Sequence, residues 1–110
     1  MVAAARGLDH CYALRGFDGR SLFKAASVRC PENGAQLDCF TTAPGLQLYT
    51  ANWLEGTPRL KDGKTALNHR AFCLEAQSFP ASPNFLAFPN TILRPGETWR
   101  RKTVYKLRVE

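Results

Sequence analysis

Two segments of the sequence alternate polar and apolar side chains in a way that could form a binding surface. In "GLQLYT" the leucines alternate with Gln47 and Tyr49, and in "AFCLEAQ" apolar residues alternate with Glu75 and Gln77. Successive side chains of a strand point to opposite faces, so each polar pair would lie on the face away from the core. Carboxylate, amide and phenol groups on a concave sheet could bind a polyol, whose hydroxyls need paired donors and acceptors. On this pattern alone, a solvent-exposed face with ordinary polar residues remains an alternative.

The elements that would hold these side chains are short β-strands joined by turns. No stretch of about a dozen residues has the spacing of an amphipathic helix, whereas 8 glycines and 7 prolines interrupt the chain. Strand-like runs lie at residues 10–17, 21–30, 35–42, 46–53, 71–77, 91–96 and 98–110. Long loops are predicted at 54–70 and 78–90. The pattern predicts an all-β fold of antiparallel strands, a sandwich or a barrel, in which Phe72, Leu74 and Ala76 face the core.

Length and composition indicate a single globular domain over residues 1–110. Hydrophobic residues make up 45% of the chain and charged residues 22%, which is the ordinary range for a folded domain. No apolar run approaches the roughly 18 residues that a membrane-spanning helix needs. The opening "MVAAARG" is too short and too weakly apolar for a secretory signal. We therefore expect no membrane partner and a cytoplasmic location.

Much of the formal net charge of +6 lies in the last predicted strand. There the apolar set is Trp99, Thr103, Tyr105, Leu107 and Val109, and the basic set is Arg100, Lys102, Lys106 and Arg108. The two sets have opposite parity, which is typical of a half-buried strand with a charged, solvent-exposed face. Such charges also prevent an edge strand from pairing with other chains. A nucleic-acid patch is the alternative, and we expect no nucleic-acid partner.

The four cysteines do not form a recognisable metal or disulfide pattern. They are Cys11, Cys30, Cys39 and Cys73, and none falls in a C-x-x-C pair. Zinc sites usually contain at least one such tight pair. We expect reduced thiols, mostly buried as small apolar groups, and no metal, with a disulfide or a metal site as the alternative.

The order and spacing of several motifs resemble those of the aldose 1-epimerases, or galactose mutarotases. The motifs are "GLDHCYAL", "TTAPGLQLYTANWLEG", "HRAFCLEAQSFP", "NFLAFPNTILRPGETW" and the final "YKL". The resemblance runs from about Gly7 to the end and corresponds to the C-terminal portion of the family's enzymes. It implies part of a large antiparallel β-sandwich whose concave face holds an aldose sugar. It also implies interconversion of α and β anomers by acid–base ring opening, without a cofactor.

The same resemblance implies roles for three residues. Glu75 in "FCLEAQ" matches the family's general base, which takes the proton from the anomeric hydroxyl. Asp9 in "GLDHCY" matches an aspartate that holds sugar hydroxyls, and Gln47 in "PGLQLYT" matches a glutamine near the sugar and the base. Taken alone, Asp9 would be a turn or cap residue and Glu75 a solvated strand carboxylate.

The chain also departs from the family's pattern. The resemblance implies a catalytic acid, a histidine that lies upstream of the segments matched here. If His69 shared a strand with Glu75, about 20 Å would separate them, and His10 would point away from the face of Asp9. The loop "ASPNFLAFP" has no aspartate where the family usually carries one, although Asn84 matches an expected position.

These departures leave three accounts of the chain open. It is part of an epimerase, a subunit of a split epimerase that binds a separate N-terminal half, or a non-catalytic carbohydrate-binding module. An open half-sandwich exposes apolar strand faces, so we expect self-association, such as a homo-oligomer. We expect weak or absent mutarotase activity from the chain by itself.

Overall fold

Six antiparallel strands and one 3₁₀ turn make up the regular structure of the described residues. The computed structural model describes residues 6–56 and 59–109. The strands are β1 (Asp9–Ala13), β2 (Phe23–Arg29), β3 (Ala35–Thr41), β4 (Gly45–Tyr49), β5 (Cys73–Gln77) and β6 (Thr103–Val109), and the 3₁₀ turn is Ser82–Asn84. They form two three-stranded sheets in the orders β1–β4–β5 and β2–β3–β6. The predicted all-β class is therefore confirmed, as a partial β-sandwich.

The two sheets pack together through small and branched apolar side chains. Cys39 of β3, Leu46 of β4 and Leu74 of β5 are buried in one cluster, and Leu37 and Leu48 pack partly against it. Burying a leucine side chain stabilises a fold by roughly 1.5–3 kcal/mol. The alternation in "GLQLYT" thus fixes which face of β4 is the inner face.

Hydrogen bonds between the sheets supplement this small core. The Tyr105 hydroxyl on β6 donates to the carbonyl of Leu74 on β5 at 2.5 Å. Burial is the main cause that raises the pKa of the Tyr105 phenol, so the hydroxyl keeps its proton at neutral pH and can donate this hydrogen bond. At the turn between β3 and β4, the buried Thr41 Oγ1 accepts from the Ala43 amide at 3.0 Å and lies 3.2 Å from the Lys102 carbonyl, to which it donates. These contacts fix how the chain passes from one sheet to the other.

One predicted strand is absent, and several others are shorter than predicted: the runs 10–17 and 46–53 end as strands at Ala13 and Tyr49. The run 91–96 forms no strand because the chain turns at Pro95 and Gly96. The Glu97 amide donates to the Arg94 carbonyl at 3.0 Å, and Gly96 adopts a φ of 84°. The final strand begins only at Thr103, so its first predicted residues belong to the preceding loop.

The burial expected for β6 and for the start of β5 is also wrong. Leu107 lies on the inner face but is 77% exposed, because no strand of the described residues covers that end of the sheet. On the opposite face, the Arg108 side chain is partly buried against the sheet, since its Nη2 lies 3.3 Å from the buried Asp38 carboxylate. Phe72, predicted to face the core, precedes β5 and is exposed.

No helix in the parts of the chain that the structure describes is long and apolar enough to cross a membrane.

Candidate active site

Three adjacent strands place the predicted site residues on one face. In the register of β1, β4 and β5, Asp9 lies opposite Tyr49, and Gln47 lies opposite Glu75. Directly paired residues of antiparallel strands project to the same side of a sheet. Since the inner face of this sheet carries Leu46, its outer face carries the two carboxylates, the amide and the phenol. Residues distant in the sequence are thereby brought together.

An open pocket of about 460 Å³ lies on this outer face. Its lining consists of Asp9, Gln47, Tyr49, Trp53, Glu75, Gln77 and Pro80. Pockets that hold small molecules in proteins have volumes of roughly 300–1,000 Å³. The pocket is therefore large enough for a small polar ligand, and it contains all three residues that the resemblance singled out.

The polar groups of the pocket are partly committed to one another. The Gln47 Nε2 donates to Asp9 Oδ1 at 2.6 Å, which orients both side chains. The second carboxylate oxygen of Asp9 and the carbonyl oxygen of Gln47 remain available as acceptors. Within residues 6–56 and 59–109, the Glu75 side chain forms no hydrogen bond and no ion pair. The carboxylate oxygens of Glu75 are thus available to accept hydrogen bonds from a ligand.

Two aromatic side chains border the polar groups. The Tyr49 hydroxyl accepts from the Trp53 amide at 3.2 Å, which ties the turn after β4 to the strand. The Trp53 ring is 61% exposed, and the Arg6 guanidinium lies 5.2 Å from its centroid. An exposed ring beside polar groups can pack against the C–H face of a sugar. Neither its position nor its exposure was predicted from the pattern.

Asn52 links the start of β1 to the end of β4, a role that the sequence analysis did not identify. It is 1% exposed and lies outside the pocket lining. Its Nδ2 donates to the Leu8 carbonyl at 3.0 Å, and its Oδ1 accepts from Thr50 Oγ1 at 2.7 Å. Thr50 Oγ1 in turn accepts from the Leu8 amide at 2.8 Å. These hydrogen bonds link Leu8, the residue before Asp9, to the segment after β4. The only sequence signal for them was a T-x-N spacing at the end of the strand.

Neither histidine lines the pocket. His10 projects to the opposite face from Asp9, as parity predicts, and its Nδ1 accepts from the Asp9 amide at 3.1 Å. His69 is not on the strand of Glu75; it has a φ of 61°, and its Nδ1 lies 3.0 Å from the Thr50 carbonyl oxygen. Both side chains therefore contact the backbone around the site rather than its interior.

A more apolar pocket of about 390 Å³ adjoins the first through the shared Pro80. Cys11 of β1 lines it together with Phe79 and Phe88, whose ring centroids are 5.0 Å apart. The loop around these rings is fixed by Ser82 Oγ, which donates to the Phe79 carbonyl at 2.6 Å. Asn84 of the same loop lines neither pocket.

The described residues contain no group of three or more His, Cys, Asp and Glu side chains that could hold a metal ion. All four cysteines have free thiols. Burial raises the pKa of the Cys39 thiol in the core, which keeps it protonated.

Comparison with known proteins assigns the family. A family profile described as "Aldose 1-epimerase" matches residues 2–106, so the chain belongs to the aldose 1-epimerase family. It is 39% identical over 103 residues to galactose mutarotase of Homo sapiens, which covers 94% of this chain and 30% of the human protein. It is 35% identical over 108 residues to aldose 1-epimerase of Escherichia coli strain K12, which covers 96% of this chain and 30% of the bacterial protein. The chain thus spans about 30% of the length of these relatives.

Proposed function

We propose that this chain carries the base and the sugar-holding groups of an aldose 1-epimerase site. The observation that supports this most directly is the pocket of the outer sheet face, in which Asp9, Gln47 and Glu75 lie together in a member of the family. In this proposal Glu75 is the general base, and Asp9 and Gln47 bind the hydroxyls of an aldose of the glucose or galactose type. Trp53 packs against the ring.

The proposed reaction consists of two proton transfers, one from the sugar to Glu75 and one from an acid to the sugar. The Glu75 carboxylate takes the proton of the anomeric hydroxyl, and the bond between C1 and the ring oxygen breaks as C1 becomes an aldehyde. The ring oxygen receives the electron pair and a proton from an acid. Rotation about the C1–C2 bond and reclosure give the other anomer. Atoms and electrons balance without a redox partner, and each positioned acid or base accelerates such a step by roughly 10²–10⁴.

The acid is the group that the described pocket does not supply. Since neither histidine lines the pocket, the ring oxygen takes its proton in this proposal from water or from a group outside residues 6–56 and 59–109. We therefore propose weak or absent epimerase activity for the chain alone, because one of two positioned proton-transfer groups is replaced by solvent.

Polarimetry of freshly dissolved α-glucose and α-galactose tests this. The matched variants are Glu75→Gln and Glu55→Gln, since Glu55 is an exposed carboxylate outside the pocket. We expect a small acceleration over the spontaneous rate that Glu75→Gln removes and Glu55→Gln retains. Equal effects of the two substitutions would show that Glu75 is not the base. Rapid anomerisation by the chain alone would overturn the account of the missing acid.

The exposed inner face of β6 supports a second candidate, a binding subunit that needs a partner. Leu107 and Val109 are uncovered there, as expected if a further β-structured polypeptide or a second copy packs on the sheet. A cytoplasmic location remains part of this proposal.

Fluorescence separates this second candidate from the first. In a Trp99→Phe variant Trp53 is the only tryptophan, so sugar-dependent emission reports on the pocket. A saturable sugar response without any change of anomerisation rate would favour the binding subunit.

A further inference from the structure

Another pocket, separate from the pocket of Asp9 and Glu75, has four cationic residues in its lining. It has a volume of about 400 Å³ and is lined by Arg20, Thr42, Arg100, Arg101 and Lys102, among others. It shares no lining residue with the pocket of Asp9 and Glu75. The sequence analysis assigned Arg100 and Lys102 to the wet face of a strand, but both lie in the segment before β6.

The backbone that carries these cations is firmly held on both sides of the pocket. On one side, the Lys102 amide donates to Thr42 Oγ1 at 3.1 Å, and the Thr42 amide donates to the Lys102 carbonyl at 3.0 Å. On the other side, Asp18 Oδ1 accepts from the amides of Arg20 and Ser21 at 2.9 and 2.7 Å. The backbone of Arg20 and of Lys102 is therefore held in place by hydrogen bonds.

The positive charges of this pocket are largely uncompensated. The salt bridges between described residues use Asp38 and Asp62 with other cations, and none includes the four that line the pocket. Asp18 is an acidic neighbour, because its carboxylate interacts electrostatically with Arg20. The charges of the four lining cations and of Asp18 sum to +3. Like charges held close together repel one another, and a bound anion would relieve that repulsion.

Arg101 illustrates the lack of an acidic partner. Its Nη2 donates to the neutral Ser78 Oγ at 2.8 Å, and its guanidinium lies 4.9 Å from the centroid of the Trp99 ring. Burial lowers the pKa of the Arg101 guanidinium below its ordinary value. The ring and the hydroxyl orient the guanidinium without neutralising it, so its remaining N–H groups can bind an anion.

We propose that this pocket binds a small multivalent anion of the phosphate class, such as an oligophosphate or a phosphate ester. Guanidinium groups match the geometry of phosphate oxygens and bind them through paired hydrogen bonds, while lysine acts as a point charge. The four cationic residues line one pocket rather than a long stripe, which favours a compact anion over a polynucleotide strand.

Calorimetric titration of the full chain with sodium tripolyphosphate tests the proposal. The pocket variant is Arg20→Gln/Lys102→Gln, in which the anchoring hydrogen bonds persist because they use backbone atoms of these residues. The control is Arg59→Gln/Lys61→Gln, which removes the same charge from exposed positions outside the pocket. Charge-assisted hydrogen bonds are stronger than neutral ones, so we expect the pocket variant to bind at least about tenfold more weakly and the control to stay within about twofold.

Equal weakening of both variants would show a net-charge effect and overturn the proposal, as would the absence of saturable binding to the unmodified chain. Arginine Nε–H signals in nuclear magnetic resonance spectra of the unmodified chain provide a test that needs no substitution. Tripolyphosphate should shift the signals of Arg20, Arg100 and Arg101 and leave that of Arg59 unchanged; uniform shifts would count against the site. A single-stranded oligonucleotide serves as a further titrant. If both double variants weaken its binding alike while it outcompetes tripolyphosphate, the surface is a diffuse polyanion surface and the pocket assignment fails.

Discussion

Replacing Asn52 by alanine should loosen the link between the start of β1 and the end of β4. Asn52 is almost fully buried and makes two side-chain hydrogen bonds, to the Leu8 carbonyl and to Thr50 Oγ1. Alanine leaves both partners in a place that water reaches poorly. The Thr50 hydroxyl can compensate in part, because it already lies 3.3 Å from the Leu8 carbonyl oxygen.

The expected loss follows from these partners. Each intramolecular hydrogen bond contributes a net ~0.5–1.5 kcal/mol, and a buried group left without a partner costs ~1–3 kcal/mol. With the partial compensation by Thr50, we expect Asn52→Ala to lower the free energy of unfolding by about 1.5–3 kcal/mol. Asn52→Asp should cost more, since it keeps the acceptor, removes the donor and places a buried carboxylate near the Leu8 carbonyl.

Urea unfolding monitored by tryptophan fluorescence measures this loss. Asn84→Ala is the matched control, because Asn84 is exposed and its side chain makes no hydrogen bond within the described residues; it should change stability by less than ~0.5 kcal/mol. If Asn52→Ala lowered the free energy of unfolding no more than Asn84→Ala, the hydrogen bonds of Asn52 would contribute nothing to the stability of the fold. Sugar binding should weaken as well, since Leu8 precedes Asp9 and its backbone sets where the Asp9 carboxylate lies.

Three further substitutions test other parts of the structure. Tyr105→Phe removes the bond to the Leu74 carbonyl and should lower the urea midpoint, corresponding to a loss of ~1 kcal/mol; no change would show that the sheets do not depend on it. A hydrogen bond from Ser27 and nearby cations lower the pKa of Asp38 in the folded state, so its stabilisation is present above about pH 4 and is lost as the pH falls further. The stability gap between the unmodified chain and Asp38→Asn should therefore be wide near pH ~7 and narrow near pH ~2 in urea titrations; a constant gap would contradict this. Leu107→Ser should reduce self-association in sedimentation velocity with little change in stability, and unchanged association would exclude this surface as the contact.

The fold class and the outward direction of Gln47 and Glu75 were accessible from the sequence because both depend on local alternation. The leucines of "GLQLYT" define the inner face of β4, and that choice alone sends Gln47 to the outer face. The same argument directs the Glu75 side chain to the face of β5 opposite that of Leu74. Their common pocket needed the register of three strands, which parity cannot supply but family motifs suggested.

Other features were inaccessible because they depend on contacts between distant residues. The alternation in β6 predicted a buried Leu107, yet burial requires a covering element, and the described sheets provide none at that end. Arg108 is held instead by the carboxylate of Asp38, on the neighbouring strand β3. The sequence analysis assigned no role to Asn52, and its hydrogen bond to the Leu8 carbonyl shows that it links β1 to the end of β4.

The exposed inner face of β6 and Glu75 on β5 are connected through one hydrogen bond. Tyr105 bonds the carbonyl of Leu74, and the next residue in the chain is Glu75. Beyond Tyr105, β6 has Leu107 uncovered, so this edge is less stabilised than the centre of the sheet. A polypeptide that packs on the inner face of β6 would therefore steady the backbone that carries Glu75, in addition to supplying any acid. It follows that such a partner should strengthen sugar binding even when its own proton donor is removed, and that Tyr105→Phe should diminish this effect.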